Sequence, residues 1–218
     1  MTSIAEYIKQ PTLHKLIRHF LHFQLSSQSD CSDSELSVDA LPAFSNKIYL
    51  HSSATSIYFS PSDPQACGTH GLCREQIRAT WSWRGGSGRQ DTVLVDTGNG
   101  GNDKLPMSGY VVSRVLVFFS FKYAGEDFPV ALVWWYTLSD DAGCRDKVTG
   151  MWLVEREFRG EEPHLAVVHV GSIFRAVHLL PFFGKERVPQ GFSHSDSLDK
   201  YTKFYVNRFA DHHSFEIL

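Results

Sequence analysis

The strongest constraint on the fold is a pair of alternating segments on either side of Ala124-Gly125-Glu126-Asp127. Before it, Val115, Val117, Phe119 and Phe121 occupy every second position; after it, Phe128, Val130, Leu132 and Trp134 do the same. Side chains two apart lie on one face of a strand, and a short turn-forming link between two such runs is the signature of an antiparallel hairpin. These segments predict the centre of a sheet. Other short β-branched and aromatic runs, separated by Gly, Pro, Asn and Asp, predict further strands at Lys47 to His51, Thr55 to Ser60, Gln76 to Trp83, Asp91 to Asp96, Met151 to Glu157 and His164 to Val170. The central strands extend over Tyr110 to Tyr123 and Phe128 to Leu138. The order of elements predicts a mainly β (α+β) chain with an antiparallel β-barrel core and a helix at each end. It does not provide the alternating strands and helices of a ribonuclease-H-like carboxylate site.

The helices follow from a different period. Leu13, Leu16, Ile17, Phe20 and Leu21 recur at spacings of three and four after Pro11 and predict an amphipathic helix over Thr12 to Leu25. Leu198, Tyr201, Phe204, Tyr205 and Phe209 predict a second over Ser197 to Ala210. Between the first helix and the strands, serines and aspartates with Glu35 bury too little surface to order themselves. Three parts result: a helical segment at 1–25, an acidic serine-rich linker at 26–44, and a β-rich core with a C-terminal helix at 45–218.

Charge and composition narrow the function. The 218 residues carry 21 basic against 24 acidic side chains, a net charge of -3 that provides no global attraction to polyanions. Val115 to Phe119 and Val130 to Tyr136, the longest apolar runs, fall far short of the roughly 20 residues of a membrane-spanning helix. Met1 to Gln10 lacks the apolar stretch of a secretory signal, so a cytosolic or nuclear chain with four reduced cysteines is expected.

No catalytic constellation with a specific spacing emerges. Cys67, His70 and Cys73 are soft ligands within seven residues, but no partner pair follows, and a surface loop with reduced thiols is favoured over zinc. His212, His213 and Glu216 could hold a metal only if Asp211 or His194 approached, and adjacent histidines on a helix diverge by about 100°. A cap on the last turn is the preferred role. Gly85 to Gly88 before Arg89 lacks the Gly-Lys-Ser/Thr of a phosphate loop, and no Gly-x-Ser-x-Gly elbow occurs. Asp140 and Asp141 read as a solvated turn. Neither a cofactor nor a small-molecule substrate is indicated.

Aromatic residues carry the remaining signal. Trp81, Trp83, Trp134, Trp135, Tyr136 and Trp152 all fall in expected strands, and Trp134 and Trp135, being adjacent, must point to opposite faces. Exposed indoles can cage a methylated lysine by cation-π attraction of about 0.5–2 kcal/mol, whereas a second packed layer would hide them. Arg74, Arg78, Arg84 and Arg89 fall within sixteen residues and could touch phosphates or be a solvated strand edge.

A family resemblance adds to this. Pro61-Ser62-Asp63-Pro64, Arg78-Ala79-Thr80 with Trp83-Arg84-Gly85-Gly86, Arg114-Val115 with Phe118-Phe119-Ser120-Phe121, and Thr149-Gly150-Met151-Trp152 occur in order. They continue as Ala176 to Pro181, Asp196 to Asp199, Phe204 to Asn207 and Asp211-His212-His213. In this order, from Pro11 to Leu218, the chain resembles the C-terminal region of proteins encoded by Plavaka-type, CACTA-like transposable elements of basidiomycete fungi. The resemblance implies a nuclear, transposon-derived protein whose upstream zinc-finger and transposase-like parts are absent here. The run Val111 to Gly184 also resembles a bromo-adjacent homology (BAH) module, a β-rich fold that binds chromatin proteins. Three readings stand together: a non-catalytic nuclear module for protein or chromatin contacts, an accessory part of a transposase-like enzyme holding DNA or the catalytic domain through Arg74, Arg78, Arg84 and Arg89, and a truncated remnant without selected function. The candidate interaction residues are Trp81, Trp83, Arg84, Arg89, Trp134, Trp135, Tyr136 and Trp152.

Overall fold

The structure, a computed structural model, describes residues 10–26, 40–61, 71–140, 144–185, 187–188, 190–193 and 196–218. Helix α1 (Leu13–Leu25) precedes strands β1 (Ile48–His51), β2 (Ser53–Phe59), β3 (Leu72–Thr80), β4 (Arg89–Gln90) and β5 (Thr92–Asp96). The long strands β6 (Tyr110–Tyr123) and β7 (Glu126–Leu138) follow, then β8 (Leu153–Arg156), β9 (Phe158–Arg159), β10 (Glu162–Pro163), β11 (Leu165–His169), β12 (Ile173–Ala176) and β13 (Leu179–Pro181). The chain ends in helix α2 (Ser197–Lys200), strand β14 (Lys203–Val206) and helix α3 (His212–Ile217). The protein is mainly β, with a curled antiparallel sheet in the order β12-β5-β6-β7-β8-β14-β13, as the alternating runs predict.

The hairpin β6–β7 is its spine. Tyr123 faces Glu126, so the link is the two-residue turn Ala124-Gly125, with φ of 50° and 91°. Positive φ at both positions is the turn whose twist matches paired strands. Each long strand has two partners on its free edge. β6 pairs with β5 near its start and β1 near its end; β7 pairs with β11 near its start and β8 near its end. The register slips between Val115 and Val117, leaving Leu116 as a bulge.

Alternation along the spine sorts the core into two faces. On one, α1 covers Val117, Phe119, Phe121, Val130 and Leu132 with Leu13, Ile17, Phe20 and Leu21. Further along the same face, the curl of the sheet encloses Leu94, Val112, Tyr136, Val154, Phe204, Val206 and Leu218. On the opposite face, Ile77 and Ala79 of β3 cover Val93, Val95, Val115, Phe118, Ala131 and Val133. Full burial of such side chains stabilises the fold by about 1.5–3 kcal/mol each.

Helix α1 is tied to the chain after 40 as well as to the sheet. Arg18 donates to the carbonyls of Pro42 and Leu41, both at 2.8 Å, and Phe44 packs under the helix against Phe121.

Three sequence expectations are corrected. Ser197 to Ala210 is not one helix: α2 stops at Lys200 and β14 inserts between β8 and β13. Phe204 and Val206 alternate inward, and the gap between the facing edges of β8 and β13 is filled only by an extended strand. Trp81 and Trp83 lie beyond the end of β3, Trp83 making only an isolated bridge to Gly86, and Trp152 precedes β8. Finally, Cys73 is in a disulfide rather than a free thiol, while Cys144 is free.

Candidate functional site

The site lies where the two core clusters of one sheet face meet. On β6 the inward sequence runs Val112, Arg114, then across the bulge to Val117; on β7 it runs Tyr136, Trp134, Leu132. Arg114 and Trp134 are opposite one another in register, at the seam between the packing under α1 and the inside of the curl. Neither cluster fills the seam, and a cavity of about 250 Å³ remains. Its walls include Trp81, Trp134, the bulge residue Leu116, Pro163, Arg114 and Asp199. Bulges re-aim side chains beside sites, and this one places Leu116 on the cavity.

The walls are held in place by their own contacts. Trp134 donates from Nε1 to the Glu157 carbonyl at 2.9 Å, with the Arg156 guanidinium 5.1 Å from its ring centroid and the Phe158 ring perpendicular to it at 5.5 Å between centroids. Gln90 of β4 donates to the Leu116 carbonyl at 3.1 Å, and Trp81 stands half-exposed at the mouth. Arg114, 8% exposed, forks onto Asp199 at 2.5 and 3.3 Å. The carboxylate side chain of Asp199 remains 63% exposed, so the pair runs from the buried floor to the rim. The Arg114 Nε and the Tyr136 hydroxyl are buried without a hydrogen-bond partner among the described residues. Burial pushes the Tyr136 phenol up to about 12, so it stays protonated.

The remaining aromatics expected at the site are elsewhere. Trp135, on the opposite face, packs against the cluster under β3; Tyr136 is buried inside the curl. Trp152 donates from Nε1 to the Leu218 carbonyl at 2.9 Å and lies under Arg145. These three hold the fold together. Trp83 forms a second group, with the guanidinium carbons of Arg78, Arg84 and Arg89 at 4.5, 5.5 and 5.8 Å from its centroid. Three guanidinium groups crowd this ring against one at Trp134, so Trp83 is the less suited of the two to take a methylated ammonium.

Sequence reading missed Arg114, Gln90 and Asp199. Arg114 had a usable signal, as the only charged side chain between Tyr110 and Phe121. Asp199 had none, because 85 residues separate it from Arg114.

A second polar cluster fastens the C-terminus. Arg175, 3% exposed, donates to Asp211 at 2.5 and 3.0 Å and to His213 Nδ1 at 2.9 Å. Tyr58 packs under its guanidinium at 4.5 Å and stacks on His213, with centroids 4.9 Å apart. Glu75 stands 4.0 Å from Arg175 and accepts the Ala176 N–H. Among the described residues no group of three or more His, Cys, Asp or Glu side chains is arranged to hold a metal. Cys67, His70, Asp141 and His194 lie outside the described residues.

Burial and the neighbouring Arg175 hold the His213 pKa below its ordinary value, with Asp211 and Glu216 pulling the other way. A histidine whose folded pKa is lowered binds fewer protons folded than unfolded, so its contribution to stability is full above about pH 6.5 and is lost as pH falls below. Melting temperature is therefore expected to decline between pH 7.5 and 5.5. His213→Asn should flatten that slope; an unchanged slope would assign it to another group.

Comparison with known protein families, with curated proteins and with solved structures returns no match to this chain.

Proposed function

We propose that this chain is a non-catalytic interaction module that takes one side chain of a partner protein into the seam cavity, and that the side chain is a methylated lysine. The carrying observation is the cavity itself, with indoles at Trp81 and Trp134 in its walls. A methylated ammonium has an apolar body and a diffuse charge. It gains from the indole faces by about 0.5–1 kcal/mol at exposed sites and more when desolvated. Arg114 does not oppose it with a bare charge, because the fork onto Asp199 neutralises the floor. The contacts that hold Trp134 leave little side-chain ordering to be done on binding, which favours affinity.

A chromatin partner and a nuclear location are part of this proposal, as the resemblance read from the sequence implies.

Calorimetric titration with histone-tail peptides tests the reading. A trimethyllysine peptide is expected to bind at least tenfold tighter than its unmodified form, and Trp81→Ala or Trp134→Ala should erase the difference. Equal affinity for both peptides would refute it.

A further inference from the structure

Strands β2, β3 and β4 form a small sheet whose inner side packs on the spine through Ile77 and Ala79. Its outer side carries large apolar groups: Ile57, Phe59 and Leu72 are 66%, 59% and 55% exposed. The pairing places them together, with Phe59 opposite Leu72 and Ile57 opposite Arg74. Along β3 the same face continues as Arg74, Gln76 and Arg78, and Arg78 leads onto the Trp83 group with Arg84 and Arg89. The outward positions of β2 and β3 hold no carboxylate. At the basic end Asp91 pairs with Arg89 at 2.6 Å and also accepts the Arg78 backbone N–H, while Arg84 stands exposed on a backbone of positive φ.

We propose that this face docks an acidic peptide segment bearing aliphatic or aromatic side chains, its apolar groups on Ile57, Phe59 and Leu72 and its carboxylates along Arg74 to Arg84. Charge complementarity selects the acid: three guanidinium groups share one indole and a single carboxylate, a local excess of positive charge on a chain of net charge -3. The apolar half selects a peptide over a nucleic acid. Phosphates gain nothing from aliphatic side chains, and contiguous exposed apolar patches mark protein contacts.

The experiment selects peptides from a random dodecapeptide display library on the intact chain and titrates the winners. Enriched peptides are expected to be net negative with at least two large apolar residues. They should lose at least tenfold in affinity on Arg74→Glu with Arg84→Glu, and also on Ile57→Ser, while Trp81→Ala leaves them unaffected. That last result separates this face from the seam cavity. All these substituted side chains are exposed, and near-ultraviolet circular dichroism checks that each variant is folded; for the unaltered chain, raising salt from 50 to 500 mM should also weaken binding. No enrichment, neutral or basic winners, unchanged affinity for the charge-reversed variant, or displacement of the winners by a 20-base-pair duplex at lower concentration would each overturn the proposal.

Discussion

Asp211→Asn is expected to cost about 3 kcal/mol or more of folding stability, which denaturant titration would read as a lower midpoint at unchanged slope. Asparagine keeps the helix cap, where the Asp211 side chain accepts the Ser214 N–H at 2.7 Å, because Asn and Asp cap equally well. It removes the charge that neutralises Arg175, whose side chain is only 4% exposed. An uncompensated buried guanidinium is the costly state, and Glu75 at 4.0 Å is too distant to replace a bidentate partner. The neighbours show the same balance: Asp211 titrates below its ordinary value because the bonds from Arg175 and Ser214 outweigh its burial, whereas burial raises Glu75. Replacing both charges, with Arg175→Met beside Asp211→Asn, should recover most of the loss. A single Asp211→Asn variant as stable as the parent would show that the pair does not hold the C-terminal segment to β12.

Phe121→Ala is expected to be as damaging, at about 3–5 kcal/mol. Phe121 is 1% exposed and is surrounded by other rings. It meets Phe20 at 6.4 Å and Phe44 at 5.0 Å, both edge-on, and Phe128 at 5.5 Å in a stack. Three parts of the chain meet at this ring: α1, the segment after residue 40, and both strands of the spine. Truncation leaves a cavity that no single element can close. Its loss should therefore lower the melting temperature of the whole protein in one cooperative step, and Ile17→Ala, from the helix side, should add to it less than fully because both line one cluster. A separate low-temperature step with the main transition unmoved would mean that α1 is a detachable appendage.

How far the sequence is legible depends on the range of the interaction. The spine hairpin is written locally, in the alternation through Val115 to Phe121 and Phe128 to Trp134 and in the Ala124-Gly125 turn, and it folds as expected. Helix α1 is equally local, with Leu13, Ile17, Phe20 and Leu21 at helical spacing and all buried. Over Leu198 to Phe209 two periods compete. Helical spacing of the aromatics is present, yet Phe204 and Val206 also alternate, and the choice is made by β8 and β13, which offer backbone partners on both sides. Such tertiary override of local preference cannot be seen in the segment itself. The site behaves likewise. Trp81 and Trp134 are conspicuous as tryptophans, but that they share a cavity while Trp83, Trp135 and Trp152 do not depends on the bulge at Leu116 and on where β3 ends. Arg175 and Asp211 meet across 36 residues with no motif to announce the pair.

The seam cavity is tested most directly by the indole N–H resonances of the five tryptophans during titration with a trimethyllysine peptide. Trp81 and Trp134 are expected to shift in a saturable, parallel fashion while Trp83, Trp135 and Trp152 stay in place, and the unmodified peptide is expected to move none of them at the same concentration. Shifts confined to Trp83, or no shift at Trp134 while other parts of the spectrum report binding, would contradict it and place the recognition surface elsewhere on the molecule.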